Sequence, residues 1–365
     1  MRYSMTSKAR LIAFYLPQYH PIPENDQWWG KGFTEWTNVA KAKPLFVGHQ
    51  QPRTPADLGF YDLRVPETRA AQASLAQEYG IEGFCYWHYW FGNHRRLLER
   101  PFDEVLRTMN PDFPFCLAWA NHDWSGVWHG CPDKILMKQE YPGIHDHRAH
   151  FETILPAFKD RRYITVDGKP LFLIYHPYHL PDCKAFAAYW QELATEAGLK
   201  GIFFVGIGAE DFAPSSFGLD GATTNPPMNV LNRTSEKAQP RTLLAKLLGK
   251  KAPAPKVFDY AEFVANAFPN QIYDATRFPC VIPNWDNTPR SGYNGVVLSG
   301  ATPDLYEKHL DDAIRIVSSR DPETKIVFIK SWNEWAEGNY LEPDLSWGNA
   351  YLEATRNAAF RRGEL

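Results

Sequence analysis

The sequence predicts an α/β fold, one (β/α)8 TIM-like barrel with elaborated βα loops spanning residues 1–365 as a single catalytic domain, its barrel proper at about residues 10–355. Three observations carry that expectation. Eight short apolar runs recur along the chain with helical stretches between them, most of these runs end in a cluster of aromatic and polar residues, and 365 residues is a length that α/β barrels commonly fill undivided.

The first apolar run is residues 10–16, broken by Pro17-Gln18-Tyr19-His20. A helix over residues 66–79, rich in Ala, Leu and Gln and stopped by Gly80, leads to strand two at 83–87. A second helix, with Phe102, Val105, Leu106 and Met109 at helical spacing, precedes strand three at 113–119. Strand four follows at 170–175, then a helix over 183–197 closed by Gly198, then strand five at 202–207. Strands six (221–224) and seven (279–282) are weaker. A helix over 305–317 precedes strand eight at 326–330, whose apolar, β-branched run reads as a strand covered on both faces.

In a parallel α/β barrel chemistry collects where the strands end. Strand one ends in Tyr15, Gln18 and Tyr19, strand two in Tyr86, Trp87 and His88, and strand three in Trp119, Asn121 and His122. Strand four contributes Tyr175 and His176, strand seven Asp286 and Asn287, and strand eight Trp332, Asn333, Glu334, Trp335 and Glu337. Flat aromatic faces beside amide and imidazole groups suit a polyhydroxylated ring, so these positions are candidate substrate-binding residues. Glu334 and Glu337 are the candidate catalytic pair, because glycosidic bonds are usually cleaved between two carboxyl groups. Glu35 and Trp36, in a Gly- and Trp-rich segment after strand one that reads as a lid, either bind substrate or, for Glu35, form a structural salt bridge.

Composition narrows the alternatives. A formal net charge of −3 and a pI near 6.5 provide no basic field to recruit nucleic acid. Aromatics make up 15% of the chain, including 13 Trp and 18 Tyr, more than a core of this size requires. The expected partner is an oligosaccharide or polysaccharide. Five cysteines without a CxxC spacing are expected to be reduced thiols, and the first residues and the absence of an apolar run of about 18 predict a cytoplasmic protein. No cofactor is expected and no metal is assigned: His145-Asp146-His147 with His150 reads as surface histidines and caps before a helix starting near Arg148. Residues 241–251, within an insert at about 235–257, form a basic amphipathic stretch that packs on the barrel flank or associates weakly with an anionic membrane carrying lipid-linked glycan.

Five ordered motifs stand out: Phe14-Tyr15-Leu16-Pro17-Gln18-Tyr19-His20, Trp28-Trp29-Gly30-Lys31-Gly32-Phe33-Thr34-Glu35-Trp36, Asp57-Leu58-Gly59-Phe60-Tyr61-Asp62, the run from Gly83 to Trp90, and Trp332-Asn333-Glu334-Trp335-Ala336-Glu337-Gly338. Together they resemble the WbsX family of bacterial O-antigen and polysaccharide loci, described as glycosyltransferases or as similar to glycoside hydrolase family 99. The resemblance covers residues 10–355. It implies a metal-independent retaining glycoside hydrolase or transglycosylase acting on O-antigen, polysaccharide or a lipid-linked precursor. The alternatives are a biosynthetic glycosyltransferase or a non-catalytic carbohydrate-binding barrel. By that resemblance Glu334 is a base for the substrate 2-hydroxyl and Glu337 the general acid, with a raised pKa.

Overall fold

The computed structural model describes residues 7–126, 131–208, 211–237, 254–269 and 273–360. Nine parallel strand segments form the central sheet: β1 (Arg10–Tyr15), β2 (Gly83–His88), β3 (Phe115–Trp119), β4 (Lys169–Ile174), β5 (Phe203–Gly208), β6 (Gly221–Thr224), β7 (Arg277–Phe278), β8 (Cys280–Val281) and β9 (Ile326–Ile329). Their order is β7-β6-β5-β4-β3-β2-β1-β9-β8. The two ends of that order are neighbours in sequence. β7 and β8 flank Pro279, which has no N–H to give a ladder, while its carbonyl accepts the Phe328 N–H at 2.9 Å. The strand expected at 279–282 is therefore two pieces. Its first half pairs with β6 (Arg277 opposite Ala222) and its second with β9 (Cys280 opposite Phe328), and the ring closes through the proline.

Period-two alternation divides the strand side chains between two cores. Phe14 stacks on Trp87 and Phe328 inside the barrel, with centroids 5.0 and 5.7 Å apart. The next residue, Tyr15, turns outward and donates its hydroxyl to Gln72 on the helix Pro66–Glu78. On the far side Trp190, from the helix Cys183–Glu196, is fully buried against Phe172 and Phe186. Each such side chain contributes about 1.5–3 kcal/mol when taken from water.

The helices Pro303–Val317 and Ala350–Phe360 lie together near β9, with Tyr306 and Tyr351 rings 5.7 Å apart. Between β6 and β9 the chain makes an excursion in which Lys256–Asp259 pairs in parallel with Val296–Ser299 over a small core of Phe258, Tyr260, Phe263, Trp285 and Leu298. That excursion carries residues 284–290 to the rim. The basic stretch at 241–251 lies outside the described residues.

One expected boundary moves. The helix placed near Arg148 runs Ile144–Phe158, so the His145-Asp146-His147 cluster lies in its first turn. Asp146 is buried and accepts from Trp90 Nε1 and the Asn93 N–H, and His150 is buried with its Nε2 2.8 Å from His88 Nε2. These two are core groups rather than surface ones, because the helix turns them onto the aromatic layer under β2 and β3. Cys85, Cys116, Cys183 and Cys280 are free and buried.

Candidate active site

After β9 the chain passes through Lys330 and Ser331 into a hairpin in which Asn333–Glu334 pairs antiparallel with Asn339–Tyr340. The residues between, Trp335–Glu337, make one 3-10 turn. Glu334 caps that turn and Glu337 ends it, and both carboxylates reach the same guanidinium, that of Arg290. Gly338 ends the turn at φ +63°, where a Cβ would sit 2.9 Å from Asp286 Cβ and N. Positive φ and the close approach together demand glycine. The approach is used: the Asp286 N–H donates to the Glu337 carbonyl at 2.6 Å and docks the hairpin on the segment after β8.

The back of the hairpin is fixed in the aromatic layer. Trp335 stacks on Tyr340 at 3.7 Å and donates Nε1 to Glu342 Oε2 at 2.6 Å. Glu342 also accepts from Gln72 and Tyr61, and burial pushes its carboxyl up to about 7. The Asn333 amide bonds both the N–H and the carbonyl of Leu16, and Tyr19 donates to the Asn333 carbonyl while accepting the Trp335 N–H. The exits of β1 and β9 are thereby locked together.

Arg290 faces the two acids from the short helix Thr288–Ser291. Its Nη2 lies 2.5 Å from Glu334 Oε1 and 3.0 Å from Glu35 Oε2, and its Nη1 lies 2.8 Å from Glu337 Oε1. All four side chains are 6–11% exposed. One guanidinium thus serves three buried carboxylates. Burial pushes the Glu334 carboxyl up to about 8, with Glu337 and Glu35 adding to the rise and Arg290 opposing it. Glu334 stands at the position that the resemblance gives to the base. Asp286 positions Arg290: its Oδ1 accepts the Thr288 N–H and hydroxyl, and its Oδ2 lies 2.7 Å from His49 Nε2 and 2.8 Å from Gln51 Nε2.

These acids line a cleft of about 470 Å³, a volume typical of small-ligand sites. Leu16, Trp87, Ala120, Tyr175, Asn225 and Lys330 line it from the C-terminal ends of six barrel strands. Trp87, Tyr89, Trp124, Tyr175 and Trp285 supply aromatic surface. Of the residues singled out from sequence, Gln18, Glu35, Trp87, His122, Tyr175, His176, Asn287, Glu334 and Glu337 reach the cleft. Glu35 does so as a partner of Arg290, the salt bridge that was one of the two roles sequence left open.

The others do not line it, for reasons of strand period and packing. Tyr15 and Tyr86 turn outward and pack on each other at 4.5 Å, and His88 pairs with His150. Trp119 donates to the Trp90 carbonyl and packs on Phe186, while Asn121 clamps both backbone groups of His176. Tyr19, Trp36, Trp332, Asn333 and Trp335 support the hairpin from behind, with Trp36 donating to the Tyr61 carbonyl and Trp332 packed on Phe84. Asp286 is fully buried. Sequence reasoning missed Arg290, Asn225 and Lys330. Arg290 lies 44 residues before Glu334, and its only local signal is that it follows the polar run at 284–287.

The parallel barrel carries its carboxylate pair at the C-terminal rim, and comparisons agree on the fold. The chain belongs to the Glycosyltransferase WbsX family, whose model matches residues 11–355. Two WxcX proteins of Xanthomonas campestris pv. campestris, one from strain B100, are 41% and 40% identical over 358 residues. That covers 98% of this chain and 50% of each relative, so the chain spans about half the length of the curated relatives it matches. Among solved structures, a glycoside hydrolase-like protein superposes with a TM-score of 0.62 at 14% identity, covering 99% of this chain and 96% of the other. The family 99 endo-α-mannosidase of Bacteroides thetaiotaomicron, in complex with bis-tris propane, gives 0.56 at 17% identity over 97% and 96%.

Proposed function

We propose that this protein is a carbohydrate-active enzyme that cleaves or transfers glycosidic bonds with retention, using Glu334 and Glu337, on bacterial O-antigen, polysaccharide or a lipid-linked precursor. The observation that carries the reading is the pair of carboxylates at the two ends of one 3-10 turn, gripped by Arg290, beside an aromatic cleft. Glu334 takes the proton of the substrate 2-hydroxyl, O2 attacks C1, and the glycosidic bond breaks as Glu337 gives a proton to the leaving oxygen. The 1,2-anhydro sugar is opened when water or an acceptor hydroxyl, deprotonated by Glu337, attacks C1, and O2 recovers its proton from Glu334. A base aimed at O2 has no need to approach C1, so one turn can hold both acids without the separation of about 5 Å that a direct nucleophile requires. Arg290 keeps the two carboxylates from repelling one another out of register.

The deciding experiment incubates the purified protein with the polysaccharide specified by its own gene neighbourhood, with and without an added acceptor, and follows products by mass spectrometry. Released or elongated oligosaccharide that disappears with Glu334→Gln is expected. Sugar binding without turnover would leave a carbohydrate-binding barrel in its place.

A further inference from the structure

Lys330 is a second cation of the cleft, and it makes no ion pair with the acids that Arg290 holds. It stands directly after β9, four residues before Glu334, and lines the cleft with Asn225, Tyr175 and Trp285. Its Nζ bonds the Asn225 side-chain carbonyl at 2.7 Å and the Pro226 carbonyl at 3.1 Å, and lies 4.6 Å from the Trp285 ring centroid. All of these partners are uncharged. Among the described residues no carboxylate lies in ion-pair contact with Lys330, whereas Arg290 alone serves Glu35, Glu334 and Glu337.

The rest of this corner offers amide, hydroxyl and imidazole groups, with Asp123 beside His122 and with Glu337 and Glu334 acting on Tyr175 through space. Asn225 Nδ2 donates to the Tyr175 hydroxyl at 2.9 Å, and the His122 ring lies 5.3 Å from Tyr175 and 5.8 Å from His176. Burial lowers His122 to about 4 and His176 to about 3, so near neutral pH both rings are uncharged. An ammonium held only by neutral acceptors in a cleft can still take an anionic partner. A neutral sugar would leave it without one.

Building on the glycan reading above, we infer that Lys330 forms a subsite for an anionic substituent on the sugar, such as the carboxylate of a hexuronic acid. The acidic substituent sits on the ammonium, the Tyr175 and Asn225 pair takes a neighbouring hydroxyl, and the adjoining Glu334 and Glu337 face the glycosidic bond. Specificity then comes from charge pairing in a desolvated corner, where a hydrogen bond to a charged group discriminates roughly 10- to 100-fold.

The test titrates the purified protein with methyl glycosides of glucuronic, galacturonic and mannuronic acid, their neutral counterparts, and the corresponding hexose 6-phosphates. Binding is read from tryptophan fluorescence, to which Trp285 reports directly. At least one acidic sugar should bind roughly 10- to 100-fold more tightly than its neutral counterpart. The preference should collapse to about one in Lys330→Met and persist in Lys330→Arg. Uronates and phosphates are separate arms, and whichever shows the Lys330-dependent preference identifies the anion. Equal binding of charged and neutral sugars by the native protein overturns the inference whatever the variants do, as does a preference that survives Lys330→Met. Turnover of a neutral glycan without any acidic preference would sink this inference and leave the catalytic reading standing. A Lys330-dependent preference for acidic sugars, with no turnover of any glycan, would do the reverse.

Discussion

Arg290→Met removes the one guanidinium that faces three carboxylates and replaces it with an apolar chain of similar reach. The four side chains are 6–11% exposed, so solvent screens the abandoned charges little. Removing one partner of a buried ionic cluster costs about 3–5 kcal/mol. With an unfolding entropy of about 2.1 cal/mol/K per residue, a chain of this length has an entropy near 0.8 kcal/mol/K, so the variant should melt about 4–7 °C lower at pH 8. At pH 5 protons neutralise the stranded acids, and the deficit should shrink to about half or less. Thermal unfolding by circular dichroism at both pH values is the assay, with glycan turnover measured in parallel. Loss of Arg290 also removes the main influence pulling the Glu334 carboxyl down, so its titration should move above 8. An equal melting deficit at pH 5 and pH 8 would refute the reasoning, since it would mean that Arg290 acts by packing rather than by charge.

Further outcomes follow from the same geometry. If Glu334 is the base, its buried carboxyl must lose a proton before it can act; measured with Glu337→Gln on an activated aryl glycoside, which needs no acid, kcat/KM should rise with pH towards a plateau above about 8, and a fall through that pH would remove Glu334 from the role of base. The same shift has a stability consequence: a carboxyl raised from its usual range to about 8 supports the fold at low pH and loses that contribution as pH climbs through 8, so the native protein should melt higher at pH 5.5 than at pH 9. Glu337→Gln should lose most activity on poor leaving groups and much less on an activated aryl glycoside, while a 2-deoxy donor should be inert with the native enzyme, and ordinary turnover of that donor would point to a direct nucleophile. Gly338→Ala meets both a positive φ and Asp286 at 2.9 Å, so about 1–3 kcal/mol of destabilisation and a larger loss of turnover should appear in the same unfolding and activity measurements.

The barrel and the acids were legible in the sequence because both depend on local pattern. Strands β1 to β6 and β9 fall where apolar runs of the right length stand between helical stretches, and Glu334 and Glu337 advertise themselves by following such a run directly. Ring closure was not legible: Pro279 splits one strand between two neighbours, and only the neighbours reveal which half pairs with which. Nor did a rim position disclose its face. Trp87 enters the cleft while Tyr86 and His88, one residue to either side, turn into the helical layer, a choice fixed by register against β1 and β3. Arg290 shows the limit most clearly, because its role comes from meeting Glu35 and Glu334, 255 and 44 residues away, in one water-poor corner. Sequence spacing records which groups share a turn. Which charges share a low-dielectric pocket, and so whose proton is held, is decided only when the chain has closed.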